Sequence, residues 1–341
     1  MENIHSKNKL LFHLDRVSAW QEKRITYPIL VEFDLTNRCN NLCPLCPSAN
    51  NRDKTTVNYS DAKKVISELS EIGVKAIILA GGGEPTCNPY LEEIIQFIRG
   101  KDIEVGINTN AYKVNDSKIE TIVRNCTWAR ISWDAHSPEI YQKTHGMNER
   151  AYNEVLNNTT KFVSSKKRNN SGITIGVTYL LGKDTLEGIY LVAKRAKELG
   201  VDYIRFRPLE GVPKLNISHE KQMLFELKKA KRLNDSSFSA SYREDRVKSE
   251  FNEQTRESFI CYATNFMAMI TADLRVYPCC VLRNNKDFCI GDLNQQSFRD
   301  IWQTQSHDVT NISSCTNPCQ FEGYNNFLNM LKRPISHRNF L

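Results

Sequence analysis

The sequence contains no apolar run long enough to cross a membrane. A bilayer-spanning helix needs about 20 consecutive apolar residues, and no segment of this 341-residue chain approaches that length. Residues 1–20 have neither an uninterrupted apolar region nor a small-residue cleavage site of the kind found in secretion signals. The sequence therefore predicts neither a membrane anchor nor a secretion signal, and we expect a cytoplasmic protein.

The sequence also lacks a concentrated charge of one sign. The formal net charge is +7, with 25% charged and 40% hydrophobic residues, which is an ordinary globular balance. The densest basic groups, at 166–168 and 228–232, are expected on solvated helix faces. Nucleic acid is therefore not an expected partner on charge grounds. The length suggests one large domain or two.

Cysteine, in contrast, is abundant. The chain has eleven cysteines, and in a reducing cytosol these are not expected to form a disulfide framework. Metal binding or catalysis is the expected use. Cys39, Cys43 and Cys46 fall within eight positions, and six more cysteines lie between residues 259 and 325.

Strand and helix patterns alternate from about residue 29 to residue 209. Helix patterns separate the strands, and we expect Ser60 to cap the first of them and Asp184 with Glu187 to form a capping box later. Six βα units imply a parallel sheet covered by helices, either an open doubly wound sheet or a curved partial barrel. In both, the site lies at the carboxyl ends of the strands. The predicted strands are 29–35, 74–82, 103–110, 128–135, 173–182 and 201–209.

The pattern changes after residue 215. A polar, charged segment with one predicted helix is followed by a cysteine-rich segment with short strand patterns. The apolar content of that second segment is low for its size, so a metal centre would help to stabilise it. The predicted divisions are an N-terminal extension (1–28), a barrel (29–215), a helical linker (216–258), a small cysteine-rich α+β domain (259–325) and a C-terminal tail (326–341).

The first cysteine group follows the first predicted strand, so it should lie at the carboxyl edge of the sheet. A structural zinc site needs four ligands, whereas Cys39, Cys43 and Cys46 supply three from one loop. Three ligands and one open position suit catalysis. Thiolates favour iron–sulfur clusters or zinc. The spacing favours an iron–sulfur cluster, with zinc and no metal as the alternatives.

This C-x3-C-x2-C spacing, directly after the first strand of a βα array, resembles the radical S-adenosylmethionine (radical SAM) superfamily. The resemblance implies a partial (β/α)6 TIM-like barrel. It also implies that Cys39, Cys43 and Cys46 hold three irons of a 4Fe–4S cluster, with S-adenosylmethionine on the fourth iron. Leu45 stands where relatives often have an aromatic residue, and an apolar side chain there can still shield a cluster.

Two strand ends extend the resemblance. Gly82, Gly83 and Glu84 resemble the family's GGE motif. Glycines let the backbone approach a ligand closely, so we expect backbone carbonyls and the Glu84 carboxylate to receive the methionine ammonium. Asn108 begins "NTNA", where many relatives have a TNG-like turn.

The fourth strand carries a further match. Ser132 and Asp134 fit the S-x-D pattern, whose serine commonly contacts the cofactor in relatives. Relatives often have an arginine for the cofactor's carboxylate in the next helix, and this chain has His145 there. Other basic residues could take that role in its place. The candidates are Arg205, Arg207 and, more weakly, Lys143.

The later cysteines resemble an auxiliary cluster site. Cys261 and Cys279 are spaced C-x17-C, and Cys315 and Cys319 are spaced C-x3-C. Four thiolates can close a 4Fe–4S cluster or a zinc site completely. The phrases "DLRVYPCC" and "IGDLNQQSFRDIW" resemble the SPASM and twitch extensions of radical SAM enzymes, and the cysteine count favours the twitch type with one auxiliary cluster. Cys280 is the alternative to Cys279.

The resemblance implies reductive cleavage of S-adenosylmethionine to a 5′-deoxyadenosyl radical, which removes a hydrogen atom from a substrate. An auxiliary cluster could then accept an electron, which gives an oxidoreductase-type outcome, and flavodoxin or ferredoxin would be the reductant. Only 38 residues precede Cys39, whereas peptide-modifying relatives often carry a longer leader-binding domain. We therefore expect a small substrate such as a sugar, aminocyclitol or nucleoside. The expected substrate contacts are Asn108, Asn110, Asp134, His136, Arg205 and Arg207.

Two alternatives remain at this point. One is a radical SAM maturase that modifies a ribosomally made peptide or protein. The other belongs to a different class, a non-catalytic zinc or iron–sulfur protein that binds nucleic acid.

Overall fold

The computed structural model describes residues 9–44, 46–49, 53–208, 217–249, 260–303, 308, 315, 319 and 321–333. The strands are β1 (Leu30–Asp34), β2 (Ala76–Ala80), β3 (Glu104–Thr109), β4 (Trp128–Ser132), β5 (Thr174–Leu181), β6 (Tyr203–Pro208), β7 (Ser239–Tyr242), β8 (Met267–Ile270), β9 (Arg275–Tyr277) and β10 (Gly291–Asp292). The helices are α1 (Leu14–Gln21), α2 (Tyr59–Glu71), α3 (Leu91–Arg99), α4 (Asp116–Asn125), α5 (Pro138–His145), α6 (Glu149–Arg168), α7 (Ile189–Leu199), α8 (Ile217–Lys231), α9 (Glu244–Ser249), α10 (Phe298–Gln303) and α11 (Glu322–Lys332).

The strands form one mixed sheet in the order β10-β9-β8-β1-β2-β3-β4-β5-β6-β7. Strands β1 to β7 are parallel neighbours in chain order, which is the arrangement that successive βα units produce. Strand β8 adds parallel to β1, and the β8-β9-β10 meander is antiparallel. The predicted α/β fold, a partial barrel with a small C-terminal domain, is confirmed.

The two faces of the parallel sheet differ in polarity. The face that packs against the helices is apolar and buried, with Phe33, Leu79, Ile131 and Val177 among its residues. Residues that are paired across parallel strands point their side chains to the same face. Along each strand, successive side chains point to opposite faces. The opposite face, which we call the lumen face, therefore carries the remaining strand residues. They include Glu32, Asp34, Asn108, Arg130, Ser132, Thr178, Arg205 and Arg207.

The two predicted helix caps are wrong. Helix α2 begins one residue before Ser60, because the Asn58 side chain accepts the hydrogen bond from the Asp61 amide at 2.9 Å. Residues 183–188 form a 3-10 turn, and α7 begins only at Ile189. Asp184, the other predicted cap, pairs with Lys143 at 2.7 Å.

The elements cross the predicted divisions of the chain. The expected helical linker, 216–258, contributes strand β7 to the sheet as well as α8 and α9. Helix α11 crosses the predicted boundary at residue 325, and its Leu328 packs with Trp20 of α1 and Phe266. Among the described residues, no helix is both long and apolar enough to span a bilayer.

Candidate functional site

The first cysteine group lies on the loop that leaves β1. Its thiols are not in disulfides, with Cys39 exposed and Cys43 and Cys46 half-buried. The loop is held locally by a 3.4 Å hydrogen bond from the Cys46 amide to the Cys43 carbonyl. The Leu42 amide donates to the carbonyl of His145 at 3.1 Å, so the end of α5 supports the loop. Leu45 lies outside the described residues.

The glycine turn after β2 packs directly against this cysteine loop. The Gly83 amide donates to the Thr36 carbonyl, and the Glu84 amide donates to the Arg38 carbonyl, both at 2.8 Å. A Cβ atom on Gly83 would lie 2.0 Å from the Arg38 carbonyl oxygen, and one on Gly82 would lie 2.3 Å from Asn37 Oδ1. The glycines are therefore required for the close approach of the two loops.

The Glu84 carboxylate is buried and occupied by protein donors. Its oxygens accept hydrogen bonds from the amide and hydroxyl of Thr86, from the Thr109 hydroxyl and from the Asn110 amide. Burial raises the pKa of Glu84, and these hydrogen bonds oppose that shift. The carboxylate therefore ties the end of β2 to the end of β3, and its expected role as an ammonium acceptor stays a prediction.

The turn after β3 continues this support. Asn110 donates to Asn40 Oδ1 at 2.7 Å, and Asn40 in turn donates to the Tyr112 carbonyl at 2.6 Å. Asn110, predicted to contact substrate, thus anchors the cysteine loop. Asn108 instead lies on the lumen face beside Arg130.

Asp134 lies just past β4 in an uncommon backbone conformation, with a φ angle of 48°. Its side chain is buried, and its Oδ1 atom has no hydrogen-bond partner. Burial raises the pKa of Asp134 to about 7, and the nearby charge of Arg207 opposes that shift. Ser132 lies on the lumen face, level with Thr178.

His145 occupies the position where relatives often have an arginine, and its environment keeps it neutral. Its side chain is buried and stacks on the Tyr141 ring, with centroids 4.2 Å apart. Burial lowers the pKa of His145 to about 3. A neutral imidazole cannot supply the charge that the arginine would give. His136, another predicted contact, bonds to Tyr179 on the helix-facing side at 2.9 Å.

A buried arginine joins the C-terminal domain to the first site. Arg283 donates to both oxygens of Asp34, to Glu32 at 3.1 Å and to the Gly81 carbonyl at 3.1 Å. It also donates to the Cys280 carbonyl at 3.0 Å. Arg283 lies in none of the motifs, and nothing local in the sequence indicates which carboxylates lie beside it in space.

The four predicted auxiliary cysteines line one cavity. Cys261, Cys279, Cys315 and Cys319 surround it, together with apolar side chains such as Met267 and Leu282. Burial, together with the charges of the other three thiols, raises the pKa of Cys319 to about 12, so all four are neighbours.

The alternative ligand Cys280 does not line this cavity. Its thiol donates a hydrogen bond to Cys279, and this bond lowers the pKa of Cys279. Within the described ranges, no three Cys, His, Asp or Glu side chains are grouped so as to hold a single ion. Of the other thiols, Cys126 is buried in the core, whereas Cys87 lies near Cys39.

The residues at both places fit the groups that the resemblance implies. The first loop offers three thiols that are not in disulfides, and two buried polar atoms near it, Asn41 Oδ1 and Asp134 Oδ1, have no hydrogen-bond partner among the described residues. The second offers four thiols around an apolar cavity, which suits a closed cluster.

Two protein families match the chain. Residues 33–196 match the Radical SAM superfamily, and residues 261–321 match SPASM, an iron-sulfur cluster-binding domain. The mycofactocin maturase MftC of Mycobacterium ulcerans is 27% identical over 127 residues, which cover 37% of this chain and 34% of that protein. The PqqA peptide cyclase of Bradyrhizobium diazoefficiens is 36% identical over 85 residues, which cover 24% of this chain and 21% of that protein.

The chain therefore aligns with about a third of the maturase and a fifth of the cyclase. A solved structure of Streptococcus suis SuiB bound to the precursor peptide SuiA has the same fold, with a TM-score of 0.69 and 15% identity. That match covers 95% of this chain and 77% of SuiB. The cofactors of these families are a 4Fe–4S cluster with S-adenosylmethionine and, in the SPASM domain, auxiliary iron–sulfur centres. The chain belongs to the radical SAM superfamily and carries a SPASM domain after its radical SAM domain.

Proposed function

We propose that this chain is a radical SAM maturase that modifies a peptide. The observation that carries the proposal is its 36% identity over 85 residues to a PqqA peptide cyclase. The SuiB fold, determined with a precursor peptide bound, supports it. On this basis the peptide alternative replaces the small-molecule substrate expected from the sequence as the main proposal.

In this proposal, Cys39, Cys43 and Cys46 hold the first cluster and leave one iron for S-adenosylmethionine. When bound, these cofactors supply the 5′-deoxyadenosyl radical that removes a hydrogen atom from a substrate carbon. The chain's own task is to hold the loop that carries the cysteines. Glu84 and Asn110 do so as positioning residues, because they join the strand ends to that loop.

The cofactor's methionine end requires polar and cationic partners. We assign the backbone of Gly82 and Gly83 to the ammonium group, because these glycines let the turn after β2 pack directly beside the cysteine loop. Ser132 faces the lumen at the end of β4, so its hydroxyl can reach the same cofactor. Arg207 supplies the positive charge that neutral His145 cannot give.

The second site supports an oxidative outcome. Four thiols from Cys261, Cys279, Cys315 and Cys319 would close an auxiliary 4Fe–4S cluster, which can accept an electron from the substrate. A flavodoxin or ferredoxin would reduce the first cluster. We therefore propose an oxidoreductase-type modification, with net loss of hydrogen from the peptide.

The test is anaerobic turnover of the reconstituted enzyme. The protein is incubated with dithionite, S-adenosylmethionine and candidate precursor peptides, and 5′-deoxyadenosine and peptide mass are both measured. We expect 5′-deoxyadenosine and a peptide that has lost two hydrogens. A parallel series with sugars, aminocyclitols and nucleosides tests the small-molecule alternative, and deuterium transfer from one of these into 5′-deoxyadenosine would refute the peptide proposal.

Matched variants separate loss of the cluster from general damage. Replacing Cys39, Cys43 and Cys46 by alanine should abolish 5′-deoxyadenosine and lower the iron content from about eight to about four per chain. Cys126→Ala removes a core thiol distant from both sites and should retain both iron and turnover. A chain that binds only zinc and forms no 5′-deoxyadenosine would contradict the enzyme assignment.

A further inference from the structure

Two aromatic rings cover the amino end of the lumen face between β3 and β6. A Cβ atom on Gly106 would lie 2.2 Å from the Trp128 ring, and one on Gly176 would lie 2.0 Å from the Tyr203 ring. Each glycine is the lateral partner of the aromatic residue that covers it. The two rings therefore lie flat across neighbouring strands at the amino end of the lumen.

Basic side chains project from the lumen face next to these two rings. The Arg130 guanidinium lies over the Trp128 ring, 4.9 Å from its centroid. Arg205 follows on β6, level with Ser132 and Thr178, and Arg207 lies one step nearer the strand ends. All of them project from the same face of the sheet.

In the part of the chain that the structure describes, no acidic side chain pairs with Arg130 or Arg205. The lumen carboxylates on β1, Glu32 and Asp34, are bound by Arg283, and Asp134 faces Arg207. No described residue forms an ion pair with Arg130 or Arg205. The Arg130 Nε atom is buried and has no hydrogen-bond partner.

Other arginines near Arg205 add to the positive charge of this region. Burial, together with the charges of the neighbouring arginines, lowers the pKa of Arg205 to about 9; those neighbours are Arg130, Arg207 and Arg246. A buried cation without a partner lowers stability, so such residues are found where a ligand completes them. A purely structural role therefore does not explain why Arg130 and Arg205 have no acidic partner among the described residues.

We propose that Arg130 and Arg205 form an anion site in the lumen that binds a carboxylate of the substrate. The inference rests on the proposed function for its biological ligand: a peptide substrate would present an aspartate or glutamate side chain to these arginines. The guanidinium fork matches a planar carboxylate with two parallel hydrogen bonds. An acidic side chain held there fixes the register of the peptide and hence the carbon that reacts.

The Arg130 end of the site lies deeper in the lumen than the strand ends where the cofactor is assigned, whereas Arg205 is level with Ser132. The cysteine loop and the glycine turn both follow the carboxyl ends of their strands, whereas Arg130 lies two residues before the end of β4. Two residues along a strand correspond to about 6.6 Å. Arg207, nearer the strand ends, is the better placed of the arginines for the cofactor.

The test is calorimetric titration of the reconstituted holoenzyme with saturating S-adenosylmethionine and no reductant, so that no turnover occurs. The probe is N-acetylglutamate α-amide, which has one free carboxylate, and the control ligand is N-acetylglutamine α-amide. We expect saturable binding of the glutamate probe and at least about tenfold weaker binding of the glutamine control. Equal binding of the two ligands would overturn the proposal.

Variants assign the binding to the two arginines. R130M and R205M keep an unbranched, flexible side chain but remove the guanidinium charge, and each should weaken binding of the probe at least about tenfold. R232M, at an exposed helix end, is the matched control and should bind as the native protein does. Unchanged binding by R130M and R205M would refute the assignment.

A second measurement does not depend on the probe. Because Arg205 is repelled by its neighbours, R205M should melt at the same temperature as the native protein or higher, whereas a purely structural arginine would lower the melting temperature on removal. A clear fall in the melting temperature of R205M would contradict the proposal.

Two further measurements test whether another anion is the ligand of these arginines. Probe binding that disappears with saturating S-adenosylmethionine would assign the arginines to the cofactor and refute the inference. Inorganic phosphate that binds about tenfold more tightly than the glutamate probe would refute the carboxylate assignment. Because the probe is not a peptide, its binding can succeed where peptide modification fails, and the reverse, so the two proposals are tested separately.

Discussion

Arg283→Met is the most informative single change outside the cysteines. It removes the group that donates to Asp34, to Glu32 and to the Gly81 carbonyl. Asp34 is almost fully buried and would lose its only cationic partner among the described residues. Breaking a buried ion pair from one side costs about 3–5 kcal/mol. With an unfolding entropy of about 2.1 cal/mol/K per residue over the whole chain, the melting temperature should fall by about 4–7 °C.

The loss should depend on pH. Burial raises the pKa of Asp34 to about 7 in the native protein, against an ordinary value of 3.8. Without Arg283 this pKa rises further, so the variant binds a proton more readily than the native protein near neutral pH. A raised carboxylate pKa removes stability as pH increases. The difference in melting temperature should therefore be larger at pH 8.5 than at pH 6.

The assay is anaerobic thermal unfolding of the holoenzyme, followed by near-ultraviolet circular dichroism at both pH values. Arg24→Met is the matched control, because Arg24 pairs with Glu22 on the surface at 2.7 Å with both side chains more than half exposed. Such pairs contribute about 0–1 kcal/mol. An Arg283 variant that melts within the range of this control, or a loss independent of pH, would refute the reasoning. Asp34→Asn in the Arg283 variant should restore part of the stability.

Three other predictions concern the two sites. Gly83→Ala should lose the iron of the first cluster and 5′-deoxyadenosine formation, because its Cβ would meet a backbone carbonyl of the cysteine loop, whereas Gly172→Ala, with no atom within 4 Å, should retain both. His145→Asn should flatten the pH profile of the melting temperature. Between pH 6.5 and about pH 3 the unfolded histidine gains a proton and the buried one does not, so the native protein loses stability as the pH falls. An unchanged slope in the variant would contradict this. Cys279→Ala should lose about four irons by colorimetric assay, whereas Cys280→Ala should retain them, and the opposite result would reassign the ligand.

The barrel was predictable because its signals are local. Short buried strands at regular spacing indicated six βα units, and their order in the sheet follows the chain. Strand β7 was missed because its sequence, "SASY", has no apolar strand pattern of its own. It is a strand because it pairs with β6, from Tyr203 with Ser239 to Phe206 with Tyr242.

The candidate site was predictable to the extent that its residues lie in motifs. Cysteine spacing and strand ends indicated both cysteine groups, but not what surrounds them. Arg130 could have been found, because "ARIS" and "IRFRP" alternate polar and apolar residues as strands with one polar face do. Arg283 could not, because its partners are distant in sequence. The role of Glu84 also required the structure, since only the fold shows which donors reach its carboxylate.

The pairing of β8 with β1 has a consequence for how the chain assembles. Leu30 pairs with Met267, so the strand that leads into the first cysteine loop gains its second neighbour only after most of the chain has been synthesised. Until then one edge of β1 is open, and contacts of such high sequence separation form slowly. The loop that holds Cys39, Cys43 and Cys46 is therefore attached to one of the last strand pairs to close. During biosynthesis, the β1 side of the cysteine loop is therefore still accessible for cluster insertion until β8 pairs with β1.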